Sequence, residues 1–242
     1  MKPAPFSYHR PRTLAEALAL LAEDPDAKPL AGGQSLVPML NFRLARPSAL
    51  VDLGAIDELV GIRVEDGAVV VGAMTRQWDL ERSDAAHPLL RAALAFVGHT
   101  ATRCRGTVGG SLVHADPTAE LPVCAVALAA ELVTSSGRTI PAEEFFVSVF
   151  TTALELGELL VEVRFPRAEG PWAFEEHAHR HGDFAVVCVA VAGERVAVGG
   201  VAPTPLSWDG GELEAIGDLY APAGYKEQLA RTLIARAREK VA

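Results

Sequence analysis

Polar and apolar positions alternate along this chain in two rhythms, and the rhythm changes more than once. At Thr13-Leu-Ala-Glu16 a capping-box pattern precedes Leu14, Ala17, Leu18 and Leu21 at helical spacing, which predicts an amphipathic helix over 13–23. Residues 29–31 and 50–53 read as short strands. "VGIRVEDGAVVVGA" is two β-rich runs joined by Glu65-Asp66-Gly67, a hairpin signal. Pro88 starts a helix in "HPLLRAALAFVG", with Leu90, Ala93, Leu94 and Val97 on one face.

Further along, "HADPTAELPVCAVALA" allows Asp116 to cap a helix beginning at Pro117, but Pro122 would then sit in its interior. The expectation is a turn followed by a second helix from Pro122, or a kinked one. "AELVTSSGRTIPAEEFF" reads as strand, turn, strand and a brief helix begun by Pro141, and "GELLVEVRFP" as another strand. From about Pro171 the texture is strand-rich, with a turn at Ala192-Gly193-Glu194. "GYKEQLARTLIARAREK" closes as a helix in which Glu227 and Arg231 are spaced for an i,i+4 pair. The order is neither a steady βαβ alternation nor all-β, so the fold class is α+β.

Composition narrows the function. With 242 residues, half of them hydrophobic, the chain can bury a sizeable core. A formal charge of −9 argues against nucleic-acid binding. The longest apolar runs, 121–130 and 184–192, are too short to span a bilayer, and "MKPAPFSYHRPRT" lacks the apolar centre of a signal peptide. The expectation is a cytoplasmic protein without a membrane span. Cys104, Cys124 and Cys188 lie 20 and 64 residues apart, unlike a zinc or iron–sulfur ligand set.

Two segments carry candidate chemistry. "AGGQS" at 31–35 and "GTVGGS" at 106–111 each place a Gly-Gly pair in a predicted turn beside a strand, followed by a hydroxyl. Glycine tolerates positive φ and has no Cβ, so successive amides can converge on an anion. Gln34, Ser35, Thr107 and Ser111 would add neutral donors, and two such loops suit a pyrophosphate. Neither is a Walker A loop or a Rossmann fingerprint, and a plain turn is the alternative for either.

The longer strings "PLAGGQSLVPMLNFRLARPSALVDLGAIDELVGI", "VGAMTR" and "RGTVGGSLVHADPTAELPVCAVAL" closely resemble the FAD-binding medium subunit of molybdenum hydroxylases, the carbon monoxide and xanthine dehydrogenase family. "RHGDFAVVCVAVA", "VGGVAPTP" and "YKEQLARTLIARA" resemble its C-terminal portion. The resemblance implies a vanillyl-alcohol-oxidase (PCMH)-type FAD fold in two subdomains, 1–55 and 56–170, with a small α+β domain over 171–242. It implies FAD held by Ala31, Gly32, Gly33, Gln34 and Ser35 as one pyrophosphate loop and Thr107, Val108, Gly109, Gly110 and Ser111 as the other. Asp116 and Glu120 would lie near the flavin's hydroxylated chain, and Leu36 and Leu160 against the cofactor. Gln34 stands where relatives often have His.

The implied partners are a small subunit with two 2Fe-2S clusters and a large molybdopterin subunit, in a dimer of heterotrimers. Electrons would pass from the clusters through the flavin to an external acceptor. A free-standing flavoprotein oxidoreductase of this fold and a flavin-free assembly subunit are the alternatives.

Two departures stand out. Relatives often carry an aromatic residue and then Lys where "FEEHAHRHGDFA" has Phe174 and Glu176. The expectation is that Glu176 faces solvent or an ion partner. His177, His179 and His181 in the same stretch, were it a strand, would stand about 7 Å apart on one face, too far for easy chelation, so a solvated face is expected. Between "VAPTP" and "GYKEQ", "LSWDGGELEAIGDLYAPA" replaces a longer helical stretch, and Gly210-Gly211 in it is read as a turn.

Overall fold

The computed structural model describes residues 2–167 and 170–242. The chain begins with β1 (Ser7–His9), α1 (Leu14–Glu23), β2 (Lys28–Leu30), α2 (Leu36–Asn41) and β3 (Ala49–Asp52). The strands form a parallel sheet in the order β1-β3-β2. As the capping box requires, Thr13 Oγ1 accepts from Glu16 N at 3.2 Å, while Glu16 Oε2 accepts from Arg12 N rather than from the cap residue itself. Ala17 and Leu21 of α1 pack with Ala49, Val51 and Leu53. Helix α2 was not legible beforehand, because Pro38 stands in its six residues.

The middle of the chain builds β4 (Ile62–Glu65), β5 (Ala68–Gly72), α3 (Gln77–Arg82), α4 (Pro88–Leu94), α5 (Thr100–Arg105), α6 (Val108–His114), α7 (Glu120–Ala127), β6 (Glu131–Thr134), β7 (Thr139–Pro141), α8 (Ala142–Phe145), β8 (Phe146–Ser148), β9 (Thr151–Thr152) and β10 (Leu160–Pro166). Five strands pair antiparallel in the order β4-β5-β10-β6-β7, and β8 pairs with β9. Asp66 and Gly67, both at positive φ, make the β4–β5 turn. The helices cover one face of this sheet, where Val71, Val163 and Phe165 meet Leu90, Leu94, Leu112 and Leu121.

Helix α7 starts at Glu120, not at Pro117 or Pro122. Pro122 becomes its third residue, where the missing N–H would have had no intrahelical acceptor. Asp116 caps the preceding turn instead, its Oδ1 accepting from Thr118 N at 2.9 Å and from Thr118 Oγ1 at 2.7 Å.

The last part contains β11 (Trp172–Ala178), β12 (Ala185–Ala192), β13 (Arg195–Gly199), β14 (Leu206–Trp208) and α9 (Ala223–Val241). These strands form one antiparallel sheet in that order. Every residue of β12 is buried, because Cys188, Ala190 and Ala192 join the α7 side while Val187, Val189 and Val191 join the α9 side. That explains an apolar run with no alternation. Gly210, at φ 102°, lies in a turn as expected. Glu227 does not serve the anticipated pair with Arg231; its Oε1 accepts from Ala215 N at 3.1 Å, tying the short insert to α9. No helix among the described residues is long and apolar enough to cross a membrane.

The insert is held by a buried cation. The Lys226 side chain is 3 % exposed and donates to Gly200 O at 2.7 Å and Asp218 Oδ2 at 2.6 Å. Asp218→Ala would leave that ammonium short of its counter-charge. The expected loss is about 2 kcal/mol, discounted because Asp218 is partly exposed. Urea unfolding should show Lys226→Met losing less than Asp218→Ala, since an apolar chain fills the same space without a charge.

Candidate functional site

The first glycine segment connects β2 to α2. Gly33 sits at φ 70°, a left-handed conformation that glycine adopts without a Cβ clash, and Ser35 in the right-handed region. Among the described residues the N–H groups of Gly32, Gly33, Gln34 and Ser35 have no acceptor. The Gln34 amide folds back, Nε2 donating to Gly32 O at 3.2 Å. Ala31, Gly32, Gly33 and Gln34 line a cleft of about 540 Å³ whose wall also carries Arg10, Asp52, Arg76 and Arg105. Arg76 Nη1 donates to Arg105 O at 2.5 Å, and Arg10 stands 3.7 Å from Asp52. Sequence reasoning did not single out these arginines. Arg76 and Arg105 were nonetheless inside quoted strings, "VGAMTR" and "RGTVGG"; Arg10 lay outside any motif.

The second segment is not the expected turn. Thr107 is the N-cap of α6, and Gly109 and Gly110 occupy its first turn. Its amides are spent within the fold: Val108 N donates to Thr75 O at 2.9 Å, Gly109 N to Ala73 O at 2.8 Å, Gly110 N to Thr107 Oγ1 at 3.0 Å and Ser111 N to Thr107 O at 3.2 Å. The glycines are there for close approach. A Cβ on Gly109 would lie 2.6 Å from Ala73 Cβ, and one on Gly110 would lie 2.6 Å from Thr107 Oγ1 and 3.3 Å from Ala31 Cβ. The two segments do meet, since a Cβ on Gly32 would lie 2.4 Å from Arg105 O and 2.7 Å from Gly106 Cα. The second therefore braces the first, and its half-buried Ser111 is the side chain left to offer a hydroxyl.

The remaining predicted residues lie on α2, in the turn after α6, on α7 and on β10. Leu36 is half-buried at the start of α2, next to the first loop. Asp116 is half-buried in the turn after α6, engaged with Thr118. Glu120 is 6 % exposed, and its carboxyl is pushed up to about 8 by burial, then by the charge of Glu176 and by Asp116. Leu160 is buried in the core under the five-stranded sheet, opposite Thr134.

Glu176 does not face solvent or an ion partner. Side chains alternate along β11, so Ala173 and Glu175 face α9, where Glu175 pairs with Lys240; Phe174 and Glu176 face the α7 side. Phe174 packs on Phe96 with ring centroids 5.5 Å apart. The acid with an ion partner is thus the neighbour of the one expected. Burial raises Glu176 to about 7. Of the histidines, only His177 belongs to β11, with Nε2 at 3.4 Å from Tyr225 Oη; exposed His179 and His181 follow the strand's end, so no three-histidine face forms.

Residues 4–168 match the family described as the FAD binding domain in molybdopterin dehydrogenase. Over 238 residues the chain is 40% identical to the carbon monoxide dehydrogenase medium chain of Hydrogenophaga pseudoflava, covering 91% of this chain and 83% of that one. Caffeine dehydrogenase subunit beta of Pseudomonas sp. (strain CBB1) is 43% identical over 201 residues, 79% of this chain and 68% of that one. The structure of quinoline 2-oxidoreductase from Pseudomonas putida 86 superposes with a TM-score of 0.93 at 36% identity, over 100% of this chain and 98% of that chain. Free amides, guanidinium groups and a glycine cradle suit a diphosphate, and fold, sequence and donor set agree. The chain belongs to the FAD-binding medium subunits of molybdenum hydroxylases, as an oxidoreductase subunit whose cofactor is FAD.

Proposed function

We propose that this chain is the electron-transfer subunit of a heterotrimeric, cytoplasmic molybdenum hydroxylase. It would take electrons from the 2Fe-2S clusters of a small partner, reduced in turn by a large molybdopterin partner, and pass them to an external acceptor. The observation that carries this reading is the row of amides without acceptors at 32–35, three of whose residues line a cleft together with three arginines. FAD supplies the chemistry that accepts electrons singly and releases them singly or in pairs.

The chain's own work is to bind and to orient. The first loop and Arg10, Arg76 and Arg105 offset the diphosphate charge, and Gly32 holds that loop on the backbone at 105–106. Thr107 to Ser111 act behind it as a brace with a hydroxyl edge. Asp116 and Glu120 accept from hydroxyls of the flavin side chain, and Leu36 and Leu160 supply apolar surface. The parallel sheet belongs to the subdomain 1–55, the five-stranded sheet to 56–170 and the last sheet to 171–242.

Purified chain mixed with FAD should show flavin absorbance at one equivalent and should associate with co-expressed small and large subunits as a dimer of heterotrimers. A chain that stays colourless after reconstitution would overturn the reading, and substrate turnover by the isolated chain would place it among free-standing flavoproteins. Arg76→Met should weaken FAD binding about tenfold, the worth of one charge-assisted contact, measurable by flavin fluorescence titration.

A further inference from the structure

A third diglycine, Gly199-Gly200 of "VGGVAPTP", stands at the end of β13 and does not line the cleft. A Cβ on Gly199 would lie 2.6 Å from Val123 Cγ2 of α7 and 3.3 Å from Pro117 O. Gly200, at φ 84°, would carry a Cβ 2.3 Å from Val186 O of β12. The first is bare so that α7 and the turn before it can seat on β13. The second is bare so that its left-handed backbone can pass β12. That seat is hydrogen-bonded, because Gly200 N donates to Pro117 O at 2.8 Å.

Glycine does not hold a left-handed conformation by itself, since other conformers cost it little. What fixes Gly200 is a hydrogen bond on each side of its Cα. Its N–H goes to Pro117, and its carbonyl accepts from the buried Lys226 ammonium at 2.7 Å. Asp218 Oδ2 aims that ammonium, accepting from it at 2.6 Å. One residue before Pro117, Asp116 spends Oδ1 on Thr118 N and Thr118 Oγ1, which leaves Oδ2 without a donor among the described residues. Ala119 N donates to Asp116 O at 3.1 Å, and α7 begins at the next residue, Glu120. A lysine of α9 is thus linked, through one glycine and one proline, to the carboxyl at 116.

We propose that Lys226 is a positioning residue for the cofactor: through Gly200 and Pro117 it fixes the turn from which Asp116 offers Oδ2 to a hydroxyl of the flavin side chain. This assignment takes the ligand from the flavin reading above; the coupling of Lys226 to the turn belongs to the chain alone. Lys226 does not line the cleft, so its charge is not what the diphosphate meets. Losing it should weaken the hold on the flavin side chain and spare the hold on the diphosphate. A general loosening of the fold would weaken both.

The test uses the full chain and compares Lys226→Met with Glu227→Ala, which frees the insert from α9 at Ala215 but leaves Gly200 gripped. Without FAD, hydrogen exchange at the Gly200 and Thr118 amides should be about tenfold faster in Lys226→Met and unchanged in Glu227→Ala. Lys226→Met should bind FAD about fivefold more weakly in fluorescence titration, the worth of one hydrogen bond. Calorimetry should show ADP binding both variants as it binds the wild type. In the wild type, saturating FAD should slow exchange at the Gly200 amide, because coupling between two sites is reciprocal, and this measurement needs no variant to fold. Wild-type exchange at both amides in Lys226→Met, equal losses for FAD and ADP, the same FAD loss in Glu227→Ala, or a Gly200 amide indifferent to FAD would each overturn the positioning role. A wild-type chain that binds no FAD overturns the flavin reading instead; exchange without ligand then decides alone whether Lys226 holds the turn.

Discussion

Gly32→Ala should cost this protein about 3 kcal/mol or more of stability and most of its FAD. The added methyl would lie 2.4 Å from Arg105 O and 2.7 Å from Gly106 Cα, both main-chain atoms with no rotamer by which to escape. Either the first loop lifts off the backbone at 105–106 or the chain between α5 and α6 moves. In both cases the amides at 32–35 lose their aim. Gly67→Ala provides the contrast: its φ of 76° is strained for alanine, yet nothing lies within 4 Å of the new atom. That variant should lose about 1 kcal/mol and bind FAD normally. Urea unfolding and flavin titration of the pair decide the matter, and a Gly32→Ala protein with wild-type values for both would remove the seating argument.

The second large effect is expected at a distance from the cleft. Arg103 of α5 is 8 % exposed as a residue; its Nε donates to Glu81 Oε2 of α3 at 2.7 Å and its Nη1 to Val97 O at 3.1 Å. Glu81→Ala leaves the guanidinium buried without a counter-charge, which costs about 3–5 kcal/mol when a pair is well buried. Since the Glu81 side chain is 19% exposed, the lower end applies. Helix α5 ends at Arg105, the residue that seats Gly32, so the damage should extend to FAD affinity as well as to the midpoint of thermal unfolding. Arg103→Met together with Glu81→Leu should recover much of the stability, because no lone charge then remains. If Glu81→Ala unfolds at the wild-type temperature, the pair contributes little and α5 is held by its apolar contacts.

Much of the architecture could be read from local signals. The capping box at Thr13, the Asp66-Gly67 hairpin, Pro88 at a helix start and the strands over 160–166 and 185–192 are all features in which one stretch of chain carries its own instruction. Helices α2, α3 and α5 could not be read so. Each has six residues, too few to show a period, and each is kept helical by what it packs against. The same limit applies to "GTVGGS", where glycines that look like turn formers are there because Ala73 and the capping Thr107 hydroxyl come too close for side chains.

The sequence by itself determined a turn at 31–35, because the residues able to form it are consecutive and their conformations are local. It also determined the α+β class and, through the extended strings, the family. Only the tertiary structure decided that the second diglycine spends its amides inward and that Arg10, Arg76 and Arg105 gather beside the first. It likewise decided that Glu175, not Glu176, turns toward α9 and its ion partner Lys240. Those facts depend on which elements meet, and a strand's two faces are told apart only by what covers each of them.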